Sequence, residues 1–311
     1  MNSAALAGSL RRKAIRLHPL RQSLISKIMA SIKPGNIVAS GFVLVAGMLS
    51  TGAGRAGQLP LWEVGLGGAS LSLPDYRGSD QRTNYLLPAP YLVYRGEFLK
   101  ADRNGLRTKL FDNDKLELSL SLNGTLPVRS TNNVARSGMP DLKPAVEVGG
   151  NMSVNLWRTP DRRMALELRA PLRSAITIEA SPKQIGWVFS PGLNLHAADP
   201  FGYRGWNLGL LAGPLFSNRD YNAYFYSVSP TQALASRPAF DARGGYSGSQ
   251  FTMTLSKRFK NYWVGGFLRE DSLAGAVFQD SPLVLKRNGF SAGLAISWIF
   301  GESSKMVEAS E

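Results

Sequence analysis

Of the side chains that most often drive catalysis, this chain holds very few. Its 311 residues include two histidines and no cysteine. His18 lies in a basic N-terminal stretch, which leaves His196 in Leu193-Asn-Leu-His-Ala197, with Asp199 close by. A hydrolytic serine needs an imidazole as base and a carboxylate to orient it. His196, Asp199 and a serine brought in from another segment are the set that could supply this chemistry. The plainer reading is a rim or interior histidine hydrogen-bonded to a neighbour. The absence of cysteine excludes thiolate zinc sites, thiol nucleophiles and a disulfide scaffold. Asp112 and Asp114 could offer oxygen to calcium, yet in a tight turn they are more simply turn formers. Gly65, Gly67 and Gly68 have the composition of a phosphate loop, but no helical pattern follows them, so relief of crowding or a bulge is expected. No catalytic residue, metal ligand or cofactor site is expected, and the chain reads as a non-enzyme.

A second set of residues has charge but no obvious chemistry: Glu147, Glu167, Arg169 and Arg173, joined by Glu63 and Glu117. What they can do depends on the elements that position them. Around them apolar and polar residues alternate with period two, the pattern of strands whose side chains point to opposite faces. Leu116, Leu118, Leu120 and Leu122 oppose Glu117, Ser119 and Ser121. Val146, Val148, Met152, Val154 and Leu156 oppose Glu147, Asn151, Ser153 and Asn155, and Met164, Leu166, Leu168 and Leu172 oppose Glu167, Arg169 and Arg173. The last such run has Phe290, Ala292, Leu294, Ile296, Trp298 and Phe300 on one face and Ser291, Gly293, Ala295 and Ser297 on the other, with Ile299 breaking the rule. Helical spacing fits none of these runs.

Two architectures share this pattern. A soluble barrel or sandwich turns the leucines inward, whereas a membrane barrel turns them to lipid and the charges to a wet lumen. Two features favour the membrane version. Aromatics gather at segment ends (Trp62, Tyr94, Trp157, Trp206, Tyr262, Trp263, Trp298), as interfacial belts do. Connections also alternate between short and long. The predicted strands are 62–73, 83–94, 97–102, 106–111, 116–128, 145–158, 164–178, 184–197, 206–218, 247–259, 262–273 and 288–300. The expected fold is all-β, a transmembrane antiparallel up-and-down barrel of about 12 strands, with 10 to 14 open. Both termini then lie with the short turns, on the periplasmic side. Pro88, Pro90, Pro171 and Pro214 fall inside these strands and each removes a ladder donor, so each is expected at a rim, a bulge or a lumen distortion. The charges either line a narrow channel or pair and close it, and closure is the favoured expectation. The longest loop, near 219–246, carries Tyr221, Tyr224, Phe225 and Tyr226. These rings either face out to bind a partner or fold inward over the lumen.

The formal charge of +14 would point to nucleic acid, but residues 1–56 hold eight basic residues and no acid. Taking those eight away leaves about +6, spread without a basic run, so no nucleic-acid partner is expected. Ile37–Leu49 is the one long uncharged apolar run, too short to span a bilayer. With basic residues before it and Gly54-Arg55-Ala56 after it, residues 1–56 read as a signal peptide for Sec-type export, with Met29 an alternative start. The other reading of that run is a short buried helix or an anchor.

From Trp62 to Phe300 the chain resembles the MltA-interacting protein/OmpV family of outer-membrane proteins. The resemblance rests on Trp62-Glu-Val-Gly-Leu-Gly-Gly68, Pro74-Asp-Tyr-Arg-Gly-Ser-Asp80, Leu86 with Pro88, Pro90 and Tyr91, Leu110-Phe-Asp-Asn-Asp114, and the closing Ser297-Trp-Ile-Phe300. It implies a barrel in the outer membrane, in contact with lipid and lipopolysaccharide and inserted by the barrel assembly machinery. That machinery would read Phe290, Leu294, Ile296, Trp298 and Phe300. It further implies scaffolding between a murein transglycosylase and a synthase, with adhesion, osmotic response or a small pore as alternatives. The sequence departs from the pattern in its polar tail 301–311, which is expected either to weaken the terminal signal or to hang free. On this reading Arg77, Asp75 and Asp80 form a solvated or lipopolysaccharide-facing turn.

Overall fold

The computed structural model describes residues 58–95, 99–102, 105–108, 112–113 and 116–308. The leader read over 1–56 lies outside the described residues, as do Asp114 and parts of the turns expected at Gly96 and 112–115. In chain order the strands are β1 (Gln58–Pro60), β2 (Trp62–Pro74), β3 (Arg82–Arg95), β4 (Leu99–Asp102), β5 (Gly105–Thr108), β6 (Asp112–Asn113), β7 (Leu116–Thr125) and β8 (Ala145–Arg158). They continue as β9 (Met164–Thr177), β10 (Gln184–Phe189), β11 (Gly192–Ala198), β12 (Trp206–Ser217), β13 (Gly245–Arg258), β14 (Tyr262–Ser272), β15 (Asn288–Glu302) and β16 (Met306–Glu308). One eight-residue helix, α1 (Arg219–Tyr226), interrupts the series.

Fourteen of these strands form one antiparallel sheet in which the last long strand, β15, pairs with the first, β2. At the other end of the path β5 lies beside β7, so the sheet curls into a barrel. Strands β10 and β11 both lie between β9 and β12 and act as one strand broken at Ser190-Pro191. Opposite the break Ser190 N–H donates to the Pro171 carbonyl at 3.1 Å, so both prolines sit where the ladder is already interrupted. Pro214 borders a register shift between β12 and β13. With that pair counted once, thirteen strands share the sheet among the described residues, within the 10 to 14 left open; β6, antiparallel to β7, has only two residues and β4 and β5 four each.

The faces decide the solvent. Leu66, Leu92, Met152, Leu168, Leu172, Leu255, Leu268, Leu294 and Ile296 are exposed on the outer wall. Glu63, Ser119, Ser121, Glu147, Asn151, Arg173, Asn207, Ser256 and Ser297 are buried within. A soluble core would show the reverse. Outward aromatics form two belts: Trp62, Trp157, Trp298 and Phe300 at the end with the termini, and Trp187, Phe189, Phe216 and Phe290 at the other. From Phe290 to Phe300 the rise is about 33 Å, or about 25 Å along the normal at a tilt near 40°, the height of a bilayer's apolar band. Among the described residues no helix is long and apolar enough to cross a membrane, so strands do the crossing.

Short turns join the strands at the end holding the termini, the periplasmic end by the rule that long loops face outward. Here the tail departs from a free one. Strand β15 continues to Glu302 through a bulge after Ile299, and β16 then carries the same antiparallel ladder onward against β1. Ser303 N–H donating to the Trp62 carbonyl and Leu61 N–H donating to the Lys305 carbonyl join this ribbon to the end of the β2–β15 ladder.

Candidate functional site

The functional features of this barrel are the groups that fill it. Period two places Glu147 on β8 and Arg173 on β9 inward, and the antiparallel register makes them diagonal neighbours, with Glu147 opposite Ala175 and Arg173 opposite Gly149. Arg173 Nε donates to Glu147 Oε2 at 3.0 Å, while its other nitrogens donate to Ser121 Oγ and Ser190 Oγ. Asn123 Nδ2 also donates to Oε2, and Tyr221 Oη donates to Oε1 at 2.9 Å. Glu147 is 2% and Arg173 8% exposed. A buried charge is tolerated when it is paired and its remaining lone pairs are met, and both conditions hold here. Glu167 and Arg169 face the same interior nearer the periplasmic end but do not join this pair. Both are only part-buried, and Glu167 Oε2 lies 3.8 Å from His196 Nε2.

His196 is also in contact with Asn194, and Asp199 is used in a turn, where its carboxylate accepts from Gly205 N–H. Asp199 has a left-handed backbone and leads away from the ring. Asp199 thus serves its own turn, and the contacts described for His196 are with Asn194 and Glu167. Among the described residues no three His, Asp or Glu side chains converge to hold a metal.

Two further charged clusters gather partners that the sequence did not reveal for Glu63, read as an interior charge, and for Arg77, read as a loop residue. At the periplasmic end Glu63, 1% exposed, accepts from Tyr91 Oη and Arg258 at 2.8 Å each and from Arg95 at 3.5 Å. Trp263, fully buried, packs beside Tyr91 with Ala69, Ala89, Val93, Ala295 and Ile299. That cluster accounts for Ile299, the residue that broke the alternation in β15. At the opposite end Arg77 Nε donates to Asp271 Oδ1 at 2.8 Å, and Arg269 donates to both oxygens of the same carboxylate. Arg77 is thus drawn inward, not left as a solvated turn residue. Asp75 likewise binds Thr83 and Asn133. The signal available in sequence was Arg269-x-Asp271, two charges on one face of a strand.

Above the Arg77 cluster, the long loops close over the barrel. Asn218 caps α1 by accepting from Tyr221 N–H, with Asp220 in the first turn to complement the helix dipole. The helix turns its rings inward. Tyr226 stacks on Phe278 at 3.8 Å and joins Tyr76, Phe225, Val228, Leu273, Leu283, Val128, Met139 and Leu142 in one buried cluster. Tyr226 Oη donates to the Arg77 carbonyl, Tyr76 Oη to the Leu283 carbonyl, and buried Arg136 to the Phe225 carbonyl. Tyr221 and Tyr224 pack against this cluster, Tyr221 reaching down to Glu147. Of the two orientations open for Tyr221, Tyr224, Phe225 and Tyr226, the structure has the inward one, because three other loops supply apolar residues to cover them. Burial pushes the Tyr76 phenol up to about 12, and lowers Arg136 from its usual range. Burial and the neighbouring Glu147 carboxylate raise Tyr221 well above ordinary tyrosine. Both phenols therefore stay neutral hydrogen-bond donors at physiological pH.

At the terminal strand, Leu294, Ile296, Trp298, Phe300 and Phe290 all face out, on the wall next to β2 and β14.

The chain is similar in sequence to known proteins. The family model for MltA-interacting protein MipA matches residues 66–300. Outer membrane protein Omp26La of Vibrio anguillarum is 26% identical over 285 residues, 88% of this chain and 97% of that protein. Outer membrane protein OmpV of Vibrio cholerae is 26% identical over 283 residues, with the same coverage. Among solved structures, outer membrane protein OprG of Pseudomonas aeruginosa aligns over 80% of this chain and 96% of its own at 9% identity, with a TM-score of 0.22, too loose a superposition to carry any inference. The closed antiparallel wall, its lipid-facing leucines and the match across nearly the whole barrel place this chain in the MltA-interacting protein MipA family, as a β-barrel protein of the outer membrane.

Proposed function

We propose that this protein is a non-conducting outer-membrane anchor that holds a murein transglycosylase, and through it a synthase, at the periplasmic face. The observation that carries the reading is the filled interior. A conducting pore keeps its charged lining wet, as porin lumens are. Here Glu63, Glu147, Arg173 and Asp271 are all under a tenth exposed, the three carboxylates held by fixed donors and Arg173 by fixed acceptors. The loop cluster above and the β1–β16 ribbon below leave a rigid body whose periplasmic face carries compact turns and the ribbon. Rigid presentation of short loops suits recognition more than transport or catalysis. The family description supplies the class of partner, a murein transglycosylase.

Two measurements on the detergent-purified protein test this. In planar bilayers it is expected to give no stepwise conductance, whereas regular channel openings would overturn the anchor reading in favour of a small pore. An immobilised sample is expected to retain a purified lytic transglycosylase of the MltA type. Charge reversal at Asp161 and Arg163 in the Thr159–Arg163 turn, both well exposed, should weaken retention, and a transglycosylase that fails to bind at all would contradict the proposal.

A further inference from the structure

Among the described residues, three non-glycine backbones have a positive φ: Arg162 (56°), Asp199 (51°) and Phe201 (56°). All three lie in two neighbouring periplasmic turns, residues 159–163 between β8 and β9 and residues 199–205 between β11 and β12. The turns are joined through Ala198 N–H, which donates to the Arg163 carbonyl at 2.7 Å. A left-handed backbone is costly for a residue as bulky as phenylalanine, and such outliers gather where the surroundings hold them for a function.

A dense set of bonds holds Phe201 in that conformation. Asp199 N–H donates to the Trp206 carbonyl at 2.8 Å, Tyr203 N–H to the Pro200 carbonyl at 3.0 Å and Gly202 N–H to the Asp199 carbonyl at 3.1 Å. The Asp199 carboxylate accepts from Gly205 N–H, and Lys257 Nζ on β13 donates to the Arg204 carbonyl at 2.9 Å. The result is a fixed turn with two bare rings, Phe201 90% and Tyr203 68% exposed. Glycine at 201 would relieve the backbone and lose the ring, so local stability does not account for this phenylalanine.

Register carries this turn past the lipid. Trp157 of the periplasmic belt pairs with Leu166, and Leu166 with Leu195. Ala198, the last residue before the turn, lies three residues beyond that level, about 10 Å along the strand. The charges around the rings are mostly positive. Arg158, Arg162, Arg163 and Arg204 are exposed, Asp161 is the one exposed carboxylate of the two turns, and Asp199 faces its own turn. Aromatic rings and arginines carry much of the binding energy at protein interfaces, and rigid presentation spares the cost of ordering them. A convex turn can fill a pocket in a partner protein, whereas a sugar or small ligand needs a concavity around it. We propose that Phe201 and Tyr203 anchor the docking surface for the murein transglycosylase, seated in an apolar pocket of that enzyme whose acidic rim faces the four arginines. This inference rests on the anchor reading above and adds to it the face and the residues used.

The test is surface plasmon resonance with the full-length protein in lipid nanodiscs and a purified lytic transglycosylase of the MltA type. Phe201→Gly is expected to fold and insert normally yet weaken binding at least about thirtyfold, the effect of a hot-spot residue. Phe201→Tyr, which keeps a ring, should retain most of the affinity. Arg162→Glu combined with Arg204→Glu should weaken binding and flatten its dependence on salt. Val134→Ser, at an equally bare apolar residue (81% exposed) on the opposite end, should bind as the unaltered protein does. Binding that Phe201→Gly leaves intact would overturn this inference and spare the anchor reading. Poorer insertion of Phe201→Gly with binding intact would do the same, assigning the ring to lipid headgroups. An unaltered protein that fails to bind the enzyme would overturn both.

Discussion

Replacing Arg173 with alanine is expected to destabilise the folded barrel by about 3–5 kcal/mol, measured by urea unfolding in lipid vesicles. The size follows from what is left behind. Glu147 stays buried, held by Asn123 and Tyr221, but has lost its counter-charge and one donor, while Ser121 and Ser190 lose their partner as well. Breaking one side of a buried pair costs far more than replacing both sides, because the surviving charge cannot reach water. The companion experiment is therefore the double variant, Glu147→Gln with Arg173→Met. It removes both charges, keeps similar volume, and should recover much of the loss. Equal loss in the single and double variants would mean that the pair is wetted and that the lumen at this level is open.

The second large effect is expected at Gly67. A Cβ built there would lie 1.8 Å from the Ile296 carbonyl oxygen and 2.5 Å from Ser297 Cα, both backbone atoms of the neighbouring strand that cannot swing aside. The close approach has a purpose. Across this glycine Ser297 Oγ donates to the Ala89 carbonyl at 2.9 Å, linking the last strand to the second long one over the top of the first. Gly67→Ala is expected to cost at least about 3 kcal/mol, the upper end of ordinary overpacking. Because the clash sits where β15 closes on β2, the visible result should be a large drop in the fraction of chain that resists unfolding without boiling on a gel. Gly68→Ala, one residue along with nothing within 4 Å of the added atom, is the control and should fold normally. If both variants fold alike, the registry of the closing strands differs from the one described.

Much of this was legible from spacing. The alternation of Leu294, Ile296 and Trp298 with Ala295 and Ser297 needs only the geometry of a strand, so it survives in any barrel. The same rule turned Glu147 and Arg173 inward, and the parity of short and long connections put both termini together. What spacing could not show depends on partners far away in sequence. Whether Tyr226 faces out or in is decided by Phe278, Tyr76 and Leu283, which lie on two other loops. Arg77 reads as a solvated loop residue until Asp271, 194 positions later, takes it inward. The tail likewise looks free until β1 is seen beside it, because two three-residue strands have no periodicity to recognise. Pro88 and Pro90 look like strand breakers until the parity of β3 shows that their nitrogens face away from β2, so that ladder loses no donor.

The central claim is the sidedness of the wall, with apolar side chains toward lipid and charge sealed within. The chain has no cysteine, so single cysteines can be placed at will along β15. Leu294, Ile296, Ala295 and Ser297 would each be replaced in turn, labelled with a small fluorophore after unfolding, refolded into vesicles, and quenched with brominated acyl chains. The fluorophores at 294 and 296 are predicted to be quenched strongly and those at 295 and 297 weakly. Equal quenching at all four, or quenching that favours 295 and 297, would contradict the account.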